Sequence, residues 1–441
     1  MTETVGDQIA EGLADAGVTT IFGVISILNM PILDAIAEQG RIRFVPARGE
    51  AGAMSMADAY SRVSGEIGVA LTSTGTAAGN AAGAQAEALT AGSRVLHITT
   101  QIDREFMDRD RAAIHDVPKQ LEMLRGVSKQ VVRIWDENGA LGALAAAMRA
   151  VVSPPSGPVS LEIPVDVQRA PAVAAMRLSP PVPTVPTPDE GLLDQLAKQV
   201  QAARRPMLWL GGGARGAAAE ATRLADLGFG IVTSTQGRAT VPEDHPGSLG
   251  AYNMTPDAEA IYASSDLMIV VGSRLRGNET KDNRMALPAP LFQIDAESTQ
   301  AGRNYPVSGF ICADAALALQ GLLDRLPVTL DTNPNFHHEI AIARAKSEGA
   351  LRGRMGPYQV VADHLSMTVA AGSHPWIRDV TISNSTFGNR YVRIAAPNLG
   401  VHALGGGIGQ GVAMAIGAAA ASPSTRTIAL IGDGGTQLGI A

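Results

Sequence analysis

The order of apolar and glycine-rich segments along this chain predicts an α/β protein made of three doubly wound parallel-sheet domains. Three observations carry that prediction. Short apolar runs alternate with helix-period segments from residue 5 to residue 431, the pattern of parallel strands covered by helices on both faces. A length of 441 residues exceeds a single core and, at roughly 150 residues per domain, suggests three. Prolines at 171, 180, 181, 183, 186 and 188 make one stretch too proline-rich for a helix, so it reads as an extended connector.

The first domain is expected over residues 1–170. Val5, Ile9 and Leu13 fall at helical spacing, Gly17 is placed to end that helix, and Thr19 to Val24 reads as a strand. The alternation continues with a helix over Ile32 to Glu38, a strand over Arg43 to Pro46 and a helix over Ala51 to Val63. A strand over Ile67 to Thr72, a helix over Ala77 to Leu89 and a strand over Val95 to Thr99 follow. After the connector at 171–190, a central domain at 191–327 repeats the scheme, with strands at Met207 to Leu210, Ile231 to Thr233, Leu267 to Val271 and Leu291 to Ile294. A second connector, partly helical, is expected at 328–355. The third domain, 356–441, shows strands at Thr381 to Ser383 and Thr427 to Ile431 with a helix over about Gly409 to Ala420 between them. An open doubly wound sheet needs about five or six strands, so this domain is expected to be incomplete in the chain.

Composition removes several function classes. A net charge of -7 without basic clustering argues against a nucleic-acid surface. The single cysteine, Cys312, excludes an internal disulfide framework and fits a reducing compartment. Met1 to Val5 lacks a basic region followed by an apolar core, and no run of about 18 apolar residues reads as a membrane span, so a cytoplasmic location is expected.

Four places carry candidate chemistry. Arg48-Gly49-Glu50 follows a strand and opens a helix, so Glu50 sits where a carboxylate complements the helix dipole, with or without a further role. Gly211-Gly212-Gly213-Ala214-Arg215-Gly216 matches G-x-G-x-x-G between a strand and a helix, but Thr233-Ser234-Thr235-Gln236 stands where the ribose-binding acid belongs, which leaves a structural turn at least as well supported as a dinucleotide site. Ile114-His115-Asp116 pairs a histidine with a carboxylate, able to move protons near neutral pH or simply to be a solvated loop. The strand ending in Gly432-Asp433-Gly434-Gly435 presents one carboxylate among glycines, which suits either a turn or a hard cation beside phosphates. His97, in an apolar strand, reads as a hydrogen-bonded core residue, and no zinc spacing or nucleophile elbow occurs.

Taken in order, these segments resemble the thiamine diphosphate-dependent enzymes of the acetolactate synthase, benzoylformate decarboxylase and oxalyl-CoA decarboxylase group. The resemblance spans the chain through Ile21 to Val24, Arg48 to Ala53, Ala57 to Arg62, Thr72 to Asn80, Gly237 to Pro246, Gly405 to Gly417 and Gly432 to Gly435. It implies a decarboxylase or carboligase acting on 2-keto acids, with thiamine diphosphate and Mg2+ as cofactors. Glu50 is implied as the carboxyl group that bonds the cofactor aminopyrimidine, and Asp433 as a metal ligand. Gly49, Gly75, Asn80, Gly405, Gly407, Gly432, Gly434 and Gly435 are implied as cofactor-lining residues, with His115 as a second catalytic group. A homodimer or homotetramer with its site between subunits is implied too.

The chain also departs from the family pattern. Ile25-Ser26 stands where Pro-Gly is usual, Ile114-His115-Asp116 where acetolactate synthases carry Phe-Gln-Glu, and Gly272 to Asn278 where flavin-binding members carry Arg-Phe-Asp-Asp, so a flavin is left open but not favoured. The family's second metal ligand, an Asn beyond the glycine-Asp motif, is not in the sequence, and a fragment of a longer protein is expected. Two alternatives remain: a catalytically incomplete member with a structural or regulatory role, and a flavin- or nicotinamide-binding oxidoreductase built on Gly211 to Gly216.

Overall fold

The computed structural model describes residues 3–173 and 177–440; Met1, Thr2, Ala441 and residues 174–176 of the proline-rich connector lie outside the described residues. The chain divides into two compact units, Met1–Thr184 with Ile377–Thr381 and Val401–Ala441, and Val185–Trp376 with Ile382–Gly400.

The first unit begins with α1 (Val5–Asp15), β1 (Thr20–Gly23), α2 (Met30–Gln39), β2 (Arg43–Pro46), α3 (Glu50–Ser64), β3 (Gly68–Thr72) and α4 (Thr76–Ala91). It continues with β4 (Val95–Gln101), α5 (Gln120–Val127), β5 (Gln130–Arg133), α6 (Ala140–Val152), β6 (Val159–Pro164) and α7 (Val165–Arg169). Local sequence explains the start: Thr4 and Asp7 form a reciprocal capping box on α1, and Gly17, at φ 92°, turns the chain out after it. The six strands lie parallel in the order β2-β1-β3-β4-β6-β5. Strands β1, β3, β4 and β6 are buried along their whole length, as expected where helices cover both faces. The chain reverses its direction of travel across the sheet between β1 and β3. Ligands of doubly wound sheets bind outside the strand carboxyl ends at such a reversal.

The second unit contains α8 (Glu190–Ala202), β7 (Pro206–Leu210), α9 (Ala218–Asp226), β8 (Gly230–Thr233), α10 (Pro256–Ala263), β9 (Leu267–Val271), β10 (Leu291–Asp295), β11 (Gly309–Cys312) and α11 (Ala315–Leu323). Its parallel sheet has the order β11-β10-β9-β7-β8. The segment expected as a second connector folds into α12 (Phe336–Gly353), whose Phe336 and Ile340 are fully buried in the central core. Helix α13 (Gln359–Ala371) follows.

A small third sheet has the order β13-β12-β14, made of β12 (Trp376–Arg378), β13 (Gly400–His402) and β14 (Ile428–Leu430), and α14 (Gly411–Ala421) and α15 (Asp433–Gly439) flank β14 in sequence. One expected strand is corrected here. Thr381 to Ser383 is not extended; the strand lies five residues earlier, at β12, and Asn384–Gly388 forms a π-helical turn. Its β-branched Thr and Ile imitated a strand, whereas β12 hides its own signal by burying a cation: Arg378 Nη2 donates to His402 Nδ1 at 2.8 Å. Helix α14 packs on α3 so closely that a Cβ at Gly417 would overlap the Met56 carbonyl oxygen.

Candidate active site

The first group of candidate residues gathers at the carboxyl end of the six-stranded sheet. Glu50 is the first residue of α3, half-buried, and its Oε2 accepts from Asn80 Nδ2 at 3.1 Å. Asn80 is exposed, one turn into α4, so the hydrogen bond ties together the helices that follow β2 and β3. Gly49 precedes Glu50 in extended backbone, and a Cβ there would meet nothing within 4 Å, so packing alone does not demand a glycine. Between them, the β1–α2 loop is built by the side chain of buried Asn29, which accepts from Ser26 N and donates to Val24 O, both at 2.9 Å. Ile25 and Ile27 are exposed on the same loop.

Gly75 caps α4 with φ 64° and ψ -116°, a conformation that glycine alone adopts readily. The carbonyl of His115 lies against it, 2.5 Å from where a Cβ would stand, so a side chain at 75 is excluded twice. The His115 side chain is exposed, and its backbone shares positive φ with Asp108, Asp110 and Ala112 in the same loop. The structure therefore brings the His115 backbone to Gly75. His97, by contrast, is fully buried between Thr72 Oγ1 at 2.9 Å and Ser160 Oγ at 3.4 Å, and burial pushes its pKa down to about 3. It is a core histidine.

The second group lies in the third-sheet segment of the same unit. Asp433 is exposed at the first residue of α15, after Gly432 in extended backbone. Gly435 has a packing reason, since a Cβ there would stand 2.5 Å from Asp379 Oδ2, while Gly434 is exposed with open space beside it. Gly405 N and Gly407 N donate to the buried carboxylate of Glu87 at 2.5 and 3.3 Å. Fully buried Asp379 likewise accepts from Gly409 N, at 3.1 Å to both carboxylate oxygens. Sequence reasoning missed Glu87 and Asp379. Both act on glycines far along the chain, and no local pattern announces such a partner.

The Gly211 to Gly216 turn has a structural explanation. In the central sheet the strand order reverses between β7 and β9, and there the backbone of Gly211 and Gly213 packs directly on Gly272, with Gly213 N donating to Gly272 O at 3.0 Å. A Cβ at Gly211 would overlap Gly272 O, and one at Gly213 would stand 2.9 Å from Gly272 Cα. Backbone contact accounts for these two glycines without a nucleotide. The Gly237 to Pro246 stretch is equally structural: buried Arg238 chelates Glu243 at 2.7 and 3.0 Å and donates to the carbonyls of Asn389 and Val392. Among the described residues no group of three or more His, Cys, Asp or Glu could hold a metal ion, and no helix is long and apolar enough to cross a membrane.

Parallel sheets with candidate residues at their strand carboxyl ends place the protein among the doubly wound α/β proteins that bind ligands there. Comparison narrows the class. Residues 3–123 match the thiamine pyrophosphate enzyme N-terminal TPP binding domain, 193–322 the central domain and 381–441 the C-terminal TPP binding domain. The chain belongs to the thiamine pyrophosphate enzyme family. It is similar to a probable 2-ketoarginine decarboxylase of Pseudomonas aeruginosa, 28% identical over 98% of this chain and 78% of that protein. It is also similar to the chloroplastic acetolactate synthase 2 of Zea mays, 28% identical over 98% of this chain and 70% of that protein. With acetolactate synthase 2 of Nicotiana tabacum it shares 30% identity over 72% of this chain, spanning 48% of that protein.

Proposed function

We propose that the protein uses thiamine diphosphate and Mg2+ to decarboxylate a 2-keto acid, with transfer of the remaining carbons to a second carbonyl as the carboligase variant of the same chemistry. The observation that carries this reading is the Asn80-bound carboxylate of Glu50 at the head of α3, inside the segment matched by an N-terminal TPP binding domain. The relatives support the substrate class: one is named for decarboxylating 2-ketoarginine, others for making acetolactate.

The residues present fit the cofactor. A half-buried carboxyl group with one oxygen already fixed by an amide donor can hold or pass a proton at its Oε atoms to a ring nitrogen. When bound, thiamine diphosphate supplies the carbon nucleophile and electron sink for breaking the bond between a 2-keto acid's carbonyl carbon and its carboxylate. Glu50 controls the proton, Asn80 orients Glu50, and the glycine backbone at 49 and 75 lines the pyrimidine side. Asp433, exposed and flanked by Gly432 and Gly434, offers one carboxylate to Mg2+, which takes few protein carboxylates and completes its shell with phosphate oxygens and water. Gly405, Gly407 and Gly435 complete the diphosphate side. His115, on the exposed loop beside Gly75, is assigned to proton transfer at the substrate. A homodimer or homotetramer with the site between subunits, in the cytoplasm, belongs to the same reading.

Titration with thiamine diphosphate and Mg2+ tests it. Binding to the folded state alone raises stability by about 2.7 kcal/mol at a hundredfold excess over Kd, visible as a rise in Tm. A Tm unmoved by both together would contradict the proposal and favour a family member without activity.

A further inference from the structure

We propose that Gln120 is a positioning residue that holds the Gly75 turn, and through it the head of α4, in the geometry the Glu50–Asn80 site requires. The inference rests on the thiamine diphosphate reading above. Gln120 opens α5 and is 1% exposed. Its Oε1 accepts from Gly75 N at 2.6 Å and from Thr74 Oγ1 at 2.9 Å; its Nε2 donates to Glu162 Oε1 at 2.7 Å and to Thr100 O at 3.3 Å. All polar functions of the amide are therefore engaged, and their polarity is fixed: the oxygen must face the Gly75 N–H and the nitrogen must face a carboxylate.

Glu162 is itself fully buried and held on its other oxygen by Arg133 Nε, whose Nη1 bonds Asp108. Burial would lower the Arg133 pKa, but the hydrogen bonds to Glu162 and Asp108 raise it overall, so the cation that neutralises Glu162 stays charged. The result is one chain of contacts, Asp108–Arg133–Glu162–Gln120–Gly75. It starts at Asp108, on the loop that carries His115, and ends at Gly75, against which the His115 carbonyl lies. Buried networks of this kind rigidify what they touch only when every member is satisfied. Here the Gly75 N–H, at the positive-φ cap of α4, donates to the side chain of Gln120. Asn80, which orients Glu50, sits five residues further along the same helix.

Gln120→Glu keeps the shape but sets a second carboxylate against Glu162. The exchange Gln120→Glu with Glu162→Gln restores an amide–carboxylate bond of reversed polarity and still offers an acceptor to Gly75 N, losing only the two longer contacts, those of Thr100 O and Gln101 Nε2 at 3.3 Å. The test measures amide hydrogen exchange of residues 74–79 in the cofactor-free full chain, together with the affinity for thiamine diphosphate and Mg2+ by tryptophan fluorescence. The expected result is faster exchange confined to the head of α4 and about tenfold weaker binding in Gln120→Glu, with most of both recovered in the exchanged pair. Wild-type binding with unchanged exchange and affinity in Gln120→Glu overturns this inference alone. So does a loss of protection spread through the whole unit, or an exchanged pair no better than the single variant, because both are what a general packing role would give. Wild-type protein that binds no cofactor overturns the functional reading and this inference with it.

Discussion

Asn80 Nδ2 donates to Glu50 Oε2 across 3.1 Å, which joins the amino-terminal ends of two helices that leave the same parallel sheet from strands β2 and β3. Strand β1 lies between those strands, so the bond spans the reversal of strand order, where such sheets bind ligands. A carboxylate placed by helix geometry alone would keep its rotamers; this one is given an orientation.

Asn80→Ala separates orientation from folding. Asn80 is exposed, so its loss should change stability by no more than about 0.5 kcal/mol. Turnover of a 2-keto acid should nonetheless fall by about tenfold to a hundredfold, because small misplacements of a reacting group cost that much. Thermal melts and carbon dioxide release, measured on the same preparation, check both halves.

The packing of α14 on α3 allows no side chain at position 417. Gly417→Ala would drive a methyl group into the Met56 carbonyl oxygen, and relief requires a shift of backbone rather than of a flexible side chain. Overpacking of this kind costs about 1–3 kcal/mol. Urea denaturation should show a lower midpoint with an unchanged slope; an unaltered midpoint would mean the two helices are further apart than described.

His97 makes stability depend on acidity. Burial holds its pKa at about 3, below the ordinary 6.5, so at intermediate pH the unfolded chain binds a proton here that the folded chain refuses. The contribution is complete above 6.5 and lost as pH falls toward 3, with a slope of at most about 1.4 kcal/mol per pH unit. His97→Gln should flatten the dependence of unfolding free energy on pH between these limits. Parallel curves for the two proteins would remove His97 from the effect.

Much of the fold is legible in local signals. Apolar runs announce β1, β3 and the start of β4 because a parallel strand covered on both faces is mostly apolar. Strand β6 escapes the same reasoning because it buries Ser160 and Glu162, whose partners Gln85, Gln120 and Arg133 lie far off in sequence. Strand β5, with Gln130 and Arg133 at a sheet edge, carries too little apolar character to stand out. The site divides the same way. Glu50 is readable from a strand, a glycine and a helix start in immediate succession, whereas the carboxylate of Glu87 on Gly405 bridges 318 positions and exists only in the folded chain.

The proton role of Glu50 is the centre of the account, and carbon dioxide release by Glu50→Gln against wild type, at saturating thiamine diphosphate and Mg2+, tests it most directly. Wild type should decarboxylate at least one 2-keto acid, while the variant binds the cofactor within a few-fold of wild type and loses roughly 10²- to 10⁴-fold in rate, the span of a general acid–base contribution. Equal rates in the two proteins would contradict the role assigned to Glu50 and the mechanism built on it.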